Sequence, residues 1–223
     1  MTNLIKIELK KFSIKSHLIH LAIANFIMLG LLTPILLFAG ADEASVDVVS
    51  LISTLNLATF IVWQGVLIAK IIVEEFRSKT IFLLFTYPIS RKKLIVSKLV
   101  VVNTTIFLSM LATLTLQNTY FTILARFAPQ LEYSLTIGEI GLIATLSIAS
   151  IMMGMLSLFV GMINKSTIAT IVSSLIVVAI MGTSVGEAGG LITSAAITLG
   201  VGAVGIILAY MSVRNIDKKD LLV

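Results

Sequence analysis

Apolar residues fill six long runs of this chain, 18–40, 48–73, 99–124, 140–163, 167–183 and 191–213, with polar residues gathered between them. Each run approaches the ~20 residues that a helix needs to cross a hydrocarbon core of ~30 Å. Continuous apolar runs predict helices, because a membrane barrel alternates apolar and polar positions and every backbone amide in lipid has to be satisfied internally. The pattern predicts an all-α integral membrane protein with six transmembrane helices, one domain over residues 1–223. Two polar stretches break it. In residues 1–17, Ile5, Leu9, Phe12 and Ser16 share one helical face while Lys6, Lys10, Lys11 and Lys15 lie mostly around the other. This predicts an amphipathic helix in the membrane interface, its lysines among anionic lipid. Residues 74–98, EEFRSKTIFLLFTYPISRKKLIVSK, insert charge between the second and third runs. The apolar block 81–85 is too short to span and Pro88 disfavours helix through Tyr87. A short helix, a bend and a helix leading into the third run are expected.

Charge fixes an expected orientation. Lys and Arg fall in the N-terminal arm, in the connection between spans two and three, at Lys165 and at the C-terminus, and Arg126 alone falls on the other side. By the positive-inside rule these segments and both termini are cytosolic in a cell membrane. Asp42, Glu43, Asp47, Glu132, Glu139 and Glu187 lie outside, so the net charge of +5 expresses topology. No basic groove interleaved with aromatics points to nucleic acid. With 58% hydrophobic and 12% charged residues and a mean hydropathy of +1.10, against about 25% charged in soluble domains, there is no room for a separate soluble domain. The first apolar run is long, follows a basic segment and lacks a small-residue cleavage pattern, so it predicts an anchor. Cysteine is absent, which removes disulfides and thiolate chemistry.

Two kinds of stripe mark the spans. Ser53, Asn56, Thr59, Trp63 and Lys70 gather on one side of span two, and Asn103, Met110, Thr113 and Gln117 on one side of span three. Polar stripes in a bilayer face protein or water; interhelical hydrogen bonding and a substrate-facing wall both satisfy that. Small residues line span four (Ser147, Ser150, Gly154, Ser157, Gly161) and span six (Ala195, Thr198, Gly202, Gly205, Ala209), which predicts close helix packing within or between protomers. Gly200, Gly202 and Gly205 spell GxGxxG inside a span, where the motif has no strand before it and reads as packing. Gly182, Gly186 and Gly190 around Glu187 predict a turn, with a re-entrant hairpin as the alternative.

The usual catalytic constellations are missing. His17 and His20 read as an interfacial polar pair, since no nearby carboxylates complete a metal site. Glu74, Glu75 and Arg77 invite comparison with the EExxxR pattern of prenyl-endopeptidases, but Lys79 stands where the Arg belongs and no His follows His20. No G-x-x-x-x-G-K-[ST] loop occurs, so ATP-driven work would come from another polypeptide.

The insert resembles the connection between spans two and three in permease subunits of ABC transporters of the ABC-2 class. The matching positions are Glu74 or Glu75, Arg77-Ser78, Thr80-Ile81, Pro88-Ile89-Ser90-Arg91 and Lys98. A Gly commonly precedes the Thr, and this chain has Lys79 there. The interfacial helix, six spans and cytosolic termini extend the resemblance over the whole chain. It implies that the insert is a coupling helix seated on a nucleotide-binding ATPase, with Glu74, Glu75, Arg77, Ser78, Lys79, Thr80, Pro88, Ser90 and Arg91 as docking residues. ATP and Mg would then sit on two copies of that partner and no cofactor on this chain, which would pair with itself or with a related permease through its small-residue faces. Asn56, Thr59, Trp63, Asn103 and Gln117 are the expected substrate pathway, a mixed polar and aromatic surface suited to an amphipathic or hydrophobic solute. Relatives of this compact build imply export of a peptide. A six-span solute-binding subunit of an uptake system, without its own ATPase, is the competing expectation; it needs a closed pocket near the outer face, where Tyr120 and Tyr133 are the main aromatics.

Overall fold

The computed structural model describes residues 2–11, 13–39, 48–78, 91–128, 137–186 and 191–214, and every element among them is helical. They are α1 (Thr2–Lys11), α2 (Ile14–Ala39), α3 (Val48–Ile68), a π-helical segment (Ala69–Val73), α4 (Glu74–Arg77), α5 (Arg91–Phe127), α6 (Ile137–Gly154), α7 (Leu156–Asn164), α8 (Thr167–Gly186) and α9 (Leu191–Arg214). Among the described residues, five stretches are long and apolar enough to cross a membrane: Ile14–Leu37, Leu51–Arg77, Lys92–Phe127, Ile143–Asn164 and Ala196–Arg214, with Thr167–Ile180 a shorter apolar helix. At 20 residues α8 is about 30 Å long, so the all-α membrane fold with about six spanning helices is the one found. The expected bend of the insert, with Lys79, Thr80, Pro88 and Ser90, lies outside the described residues, as does the turn around Glu187.

Two boundaries differ from the sequence reading. The interfacial helix stops at Lys11 and the first span starts at Ile14, where the Ser13 carbonyl accepts the His17 N–H at 3.1 Å. Polarity of Ile14 to His17 suggested interface, yet the backbone there already belongs to the spanning helix. The helix leading out of the insert and the third span are one 37-residue rod, α5, because no Gly or Pro interrupts it.

α3 is the axis of the bundle. Of its most apolar window 61% is buried, against 17% for α2, which leans on the rim. Phe60, Leu67, Ile68 and Ile72 of the axis pack with Ile95, Val102 and Ile106 of α5 and Leu158 of α7. Lipid gives helices no hydrophobic reason to associate, so close backbone approach has to supply the attraction, and the small residues do this within the chain. A Cβ on Gly202 would stand 2.9 Å from Met152 Cβ, and one on Gly205 would press on the Met152 carbonyl of α6. Likewise Gly65 meets Ser174 of α8, Gly161 meets Thr170, and Gly154 meets Gln64. The expectation that these faces pair protomers is corrected: Ser147, Ser150, Gly154, Ser157 and Gly161, with Thr198, Gly202, Gly205 and Ala209, are buried inside one chain. GxGxxG is helix packing, with Gly202 and Gly205 against α6 and Gly200 facing open space.

Span four is broken in the middle for a visible reason. Gln64 Nε2 donates to the Ile151 carbonyl at 3.0 Å, and the Met155 N–H, which would take that carbonyl in a regular helix, bonds Met152 O at 3.3 Å instead. A side chain from another helix has entered the ladder, which is a recognised cause of a kink. Gly154 beside it leaves the space that Gln64 occupies.

Candidate functional site

The site is built where α3 ends. In the π segment the Glu74 N–H reaches back to Ala69 O, one residue further than in an α-helix. One extra residue in a turn of about 3.6 rotates everything after it by about 100°. That rotation aims Glu75 at Lys98 of α5. Lys98 is 2% exposed, and its Nζ donates to Glu75 Oε1 at 2.6 Å, Glu8 Oε2 of α1 at 3.3 Å and the Ile71 carbonyl at 3.4 Å. An ammonium has three protons and no lone pair to place; all three are placed here. Lys11 approaches the other Glu8 oxygen at 3.7 Å, so two carboxylates face two ammonium groups. Glu75 Oε2 is buried without a hydrogen-bond partner among the described residues. The first residues of the insert, the interfacial helix and the third span are thereby clamped together.

Other residues expected to dock the ATPase hang from this clamp. Glu74, Arg77 and Ser78 are exposed on α4, and the Glu74–Arg77 contact of 3.7 Å is a solvated surface pair of small energetic weight. Arg77 Nη1 donates to Thr167 Oγ1 at 3.4 Å, which places the α7–α8 turn at the same end of the bundle. In that turn Lys165 holds a left-handed φ of 46°, and the Ser166 hydroxyl accepts the Ala169 N–H at 3.3 Å, capping α8. Arg91 opens α5. Among the described residues no three His, Cys, Asp or Glu side chains gather to hold a metal.

Inside the bundle the polar stripes pair up. Asn56 Nδ2 donates to Gln117 Oε1 at 2.6 Å and to Ile52 O at 2.8 Å, and both amides are wholly buried. Asn103 Oδ1 accepts from Gln64 Nε2 at 3.0 Å, Thr59 donates to Leu55 O at 2.8 Å, and Asn25 Nδ2 ties α2 to Thr113 at 3.0 Å. The structure thus joins two of the five expected pathway residues, Asn56 and Gln117, to each other and Asn103 to Gln64. Trp63 lines a cavity of about 670 Å³ between the α1–α2 junction, α3 and α5, together with Lys70, Glu75 and Lys98. It stacks on Phe60 (5.9 Å, 8°) and meets His17 at 5.1 Å. His17 is buried with Nε2 2.7 Å from the Ser109 hydroxyl, whereas His20 is exposed and bonds Ser16 O at 2.5 Å, so the two histidines face different partners.

Sequence reasoning passed over Glu8 and Gln64. Glu8 is the single acid before Asp42, in an arm otherwise basic. Gln64, eight residues beyond Asn56, falls on the same helical face. Both signals were available.

A profile of the family described as ABC-2 family transporter protein matches residues 4–182, from α1 through most of α8. The chain belongs to the ABC-2 transporter family. Among the relatives of this ABC-2 chain is the uncharacterized protein YcbO of Bacillus subtilis (strain 168), 32% identical over 228 residues, 98% of this chain and 99% of that one. No solved structure matches. The family makes this a multi-pass membrane protein and a transporter permease, and the clamp lies within the matched residues.

Proposed function

We propose that this ABC-2 permease is the membrane half of an ATP-driven exporter, working as a dimer with itself or a related subunit and with two separate ATPase chains that carry ATP and Mg. The observation that supports it best is the Lys98 clamp: the residues that open the insert are fastened to two other elements of the membrane domain, Glu8 of α1 and the α5 rod. An ATPase pushing on an exposed insert from the cytosol would move all three together. Coupling of this kind needs a two-state element biased from both sides, and the insert with its clamp is suited to that role.

The docking surface on this reading is Glu74, Arg77, Ser78 and Arg91 with Lys79, Thr80, Pro88 and Ser90. Glu75 serves inward, toward Lys98. The solute is an amphipathic or hydrophobic molecule, a peptide in the reading we favour, and Trp63 is the pathway residue already on a cavity wall. Asn56 and Gln117 would line a pathway only after their mutual bond opened. The test is copurification of the chain with a candidate nucleotide-binding ATPase subunit, then solute-stimulated ATP hydrolysis in the reconstituted complex. Replacing Arg77, Lys79 and Arg91 together by Gln is expected to abolish association; a triple variant that still binds its ATPase and transports would overturn the docking assignment.

A further inference from the structure

The cavity beside the clamp contains a cation that the clamp does not use. Lys98 places its protons on Glu75, Glu8 and the Ile71 carbonyl, and Lys11 stands by Glu8. Lys70, on the π segment, lines the same cavity and makes no ion pair among the described residues. Ser13, Ser16 and His20 line the same cavity. Further in, Trp63, Val66 and Val101 form an apolar wall. Trp63 precedes Lys70 by seven residues, about 10 Å along the helix axis, while the headgroup layer is about 5–8 Å thick on each side of the hydrocarbon. With Lys70 at headgroup depth, the cavity would reach acyl depth at Trp63.

We propose that this cavity binds a phosphate-bearing amphiphile, its anionic head held by Lys70 with the hydroxyls of Ser13 and Ser16 and its chain laid along Trp63 and Val66. The size fits, since sites for small ligands run from about 300 to 1,000 Å³ and this one is about 670 Å³. The sign of the ligand follows from what is left unmet. Glu8 and Glu75, the carboxylates of the cavity, already face Lys11 and Lys98, and the one carboxylate oxygen without a partner among the described residues, Glu75 Oε2, is buried; the accessible charge left to meet is therefore the Lys70 ammonium, which calls for an anion, and a zwitterionic head would bring its own cation against it. The site goes beyond the export reading and does not depend on the direction of transport.

Trp63 is the sole tryptophan and stands on the cavity wall, so the full chain carries its own reporter. Reconstituted in bilayers containing phosphatidylglycerol with brominated chains or phosphatidylcholine with the same chains, its fluorescence measures occupancy by each lipid. Anionic lipid is expected to quench at about one-fifth the mole fraction that zwitterionic lipid needs, the preference one lysine gives near a membrane surface. Lys70→Gln should remove the preference and Lys70→Arg should keep it. Ser16→Asp, at an exposed position, sets a repelling charge at the mouth and should remove it as well, which covers the case in which Lys70→Gln does not fold. Equal quenching by both lipids in the unsubstituted chain, as a lysine merely reaching for the interface would give, overturns the proposal. So does an unchanged preference in Lys70→Gln or in Ser16→Asp. Relief of quenching by inorganic phosphate would assign the polar half to the free ion and overturn the amphiphile; quenching unmoved by phosphate supports it.

Discussion

Replacing Lys98 by Met tests the clamp directly. Met keeps the volume of the lysine stem and removes the ammonium, so the loss is electrostatic. Removing one partner of a buried ion pair costs about 3–5 kcal/mol, because the charge left behind has no counterpart. Here the carboxylates are not sealed: the side chain of Glu8 is 11% exposed and that of Glu75 26%, and water can reach part of what Lys98 leaves. The lower end, about 3 kcal/mol, is therefore expected. Most of it should belong to Glu75, whose contact is 2.6 Å against 3.3 Å for Glu8. A double-mutant cycle separates the pair from the background. Lys98→Met, Glu75→Gln and the combination are unfolded at equilibrium in mixed micelles by a rising fraction of SDS, with Trp63 fluorescence as the signal. Relieving the orphaned carboxylate makes the double variant lose less than the sum of the singles, with a coupling of about 2 kcal/mol. A Lys98→Met chain within about 0.5 kcal/mol of the parent, or singles that add, would refute the claim that this triad holds the insert to the bundle.

Glycine substitutions along α9 should rank by what their Cβ meets: Gly205→Ala, facing a backbone carbonyl, loses about 1–3 kcal/mol, Gly202→Ala less, and Gly200→Ala, in open space, is neutral or better by the same unfolding assay. Gln64→Leu strips the Ile151 carbonyl and Asn103 of their shared donor and should cost about 1–3 kcal/mol; amide exchange at Met155 and Ile151 would show whether the regular ladder re-forms. Asn56→Leu or Gln117→Leu alone should cost about 1 kcal/mol, the scale of interhelical hydrogen bonds in lipid, and the double variant should cost less than the two singles added. A double loss equal to the sum would mean that the amides act separately.

The apolar runs made the helices legible because their length is set by the bilayer, and charge sorting was supported in part by geometry: α1, the start of the insert and the turn with Lys165 share one end of the bundle through Glu8, Lys98, Arg77 and Thr167. What stayed hidden was pairing. A stripe of polar residues tells which way a helix faces, yet whether Asn56 meets solute or Gln117 depends on the register of two helices that are 61 residues apart in sequence at that contact. Lys98 was legible as a basic residue of the connection and as a position of the family pattern, but nothing local reveals that Glu8 folds back beside it. The π segment left no mark either: Lys70 reads as part of the polar stripe of span two, and nothing in Ala69 to Val73 sets the five residues apart from an α-helical turn. Small-residue stripes were read correctly as packing, while the partner proved to be the same chain.

The helix that carries Glu75 at its charged end also carries Gln64, the residue that props open the ladder of span four. Eleven residues separate them, about 16 Å at helical rise. On the proposed reading, a twist applied at the insert would not have to pass through a relay of side chains to reach mid-membrane, since Gln64, which enters the ladder between α6 and α7, lies on α3 and the backbone runs helically from it through the π segment to Glu75. Withdrawal of Gln64 would hand Ile151 O back to Met155 and straighten the span, so the two shapes of that span differ by the exchange of one hydrogen bond for another.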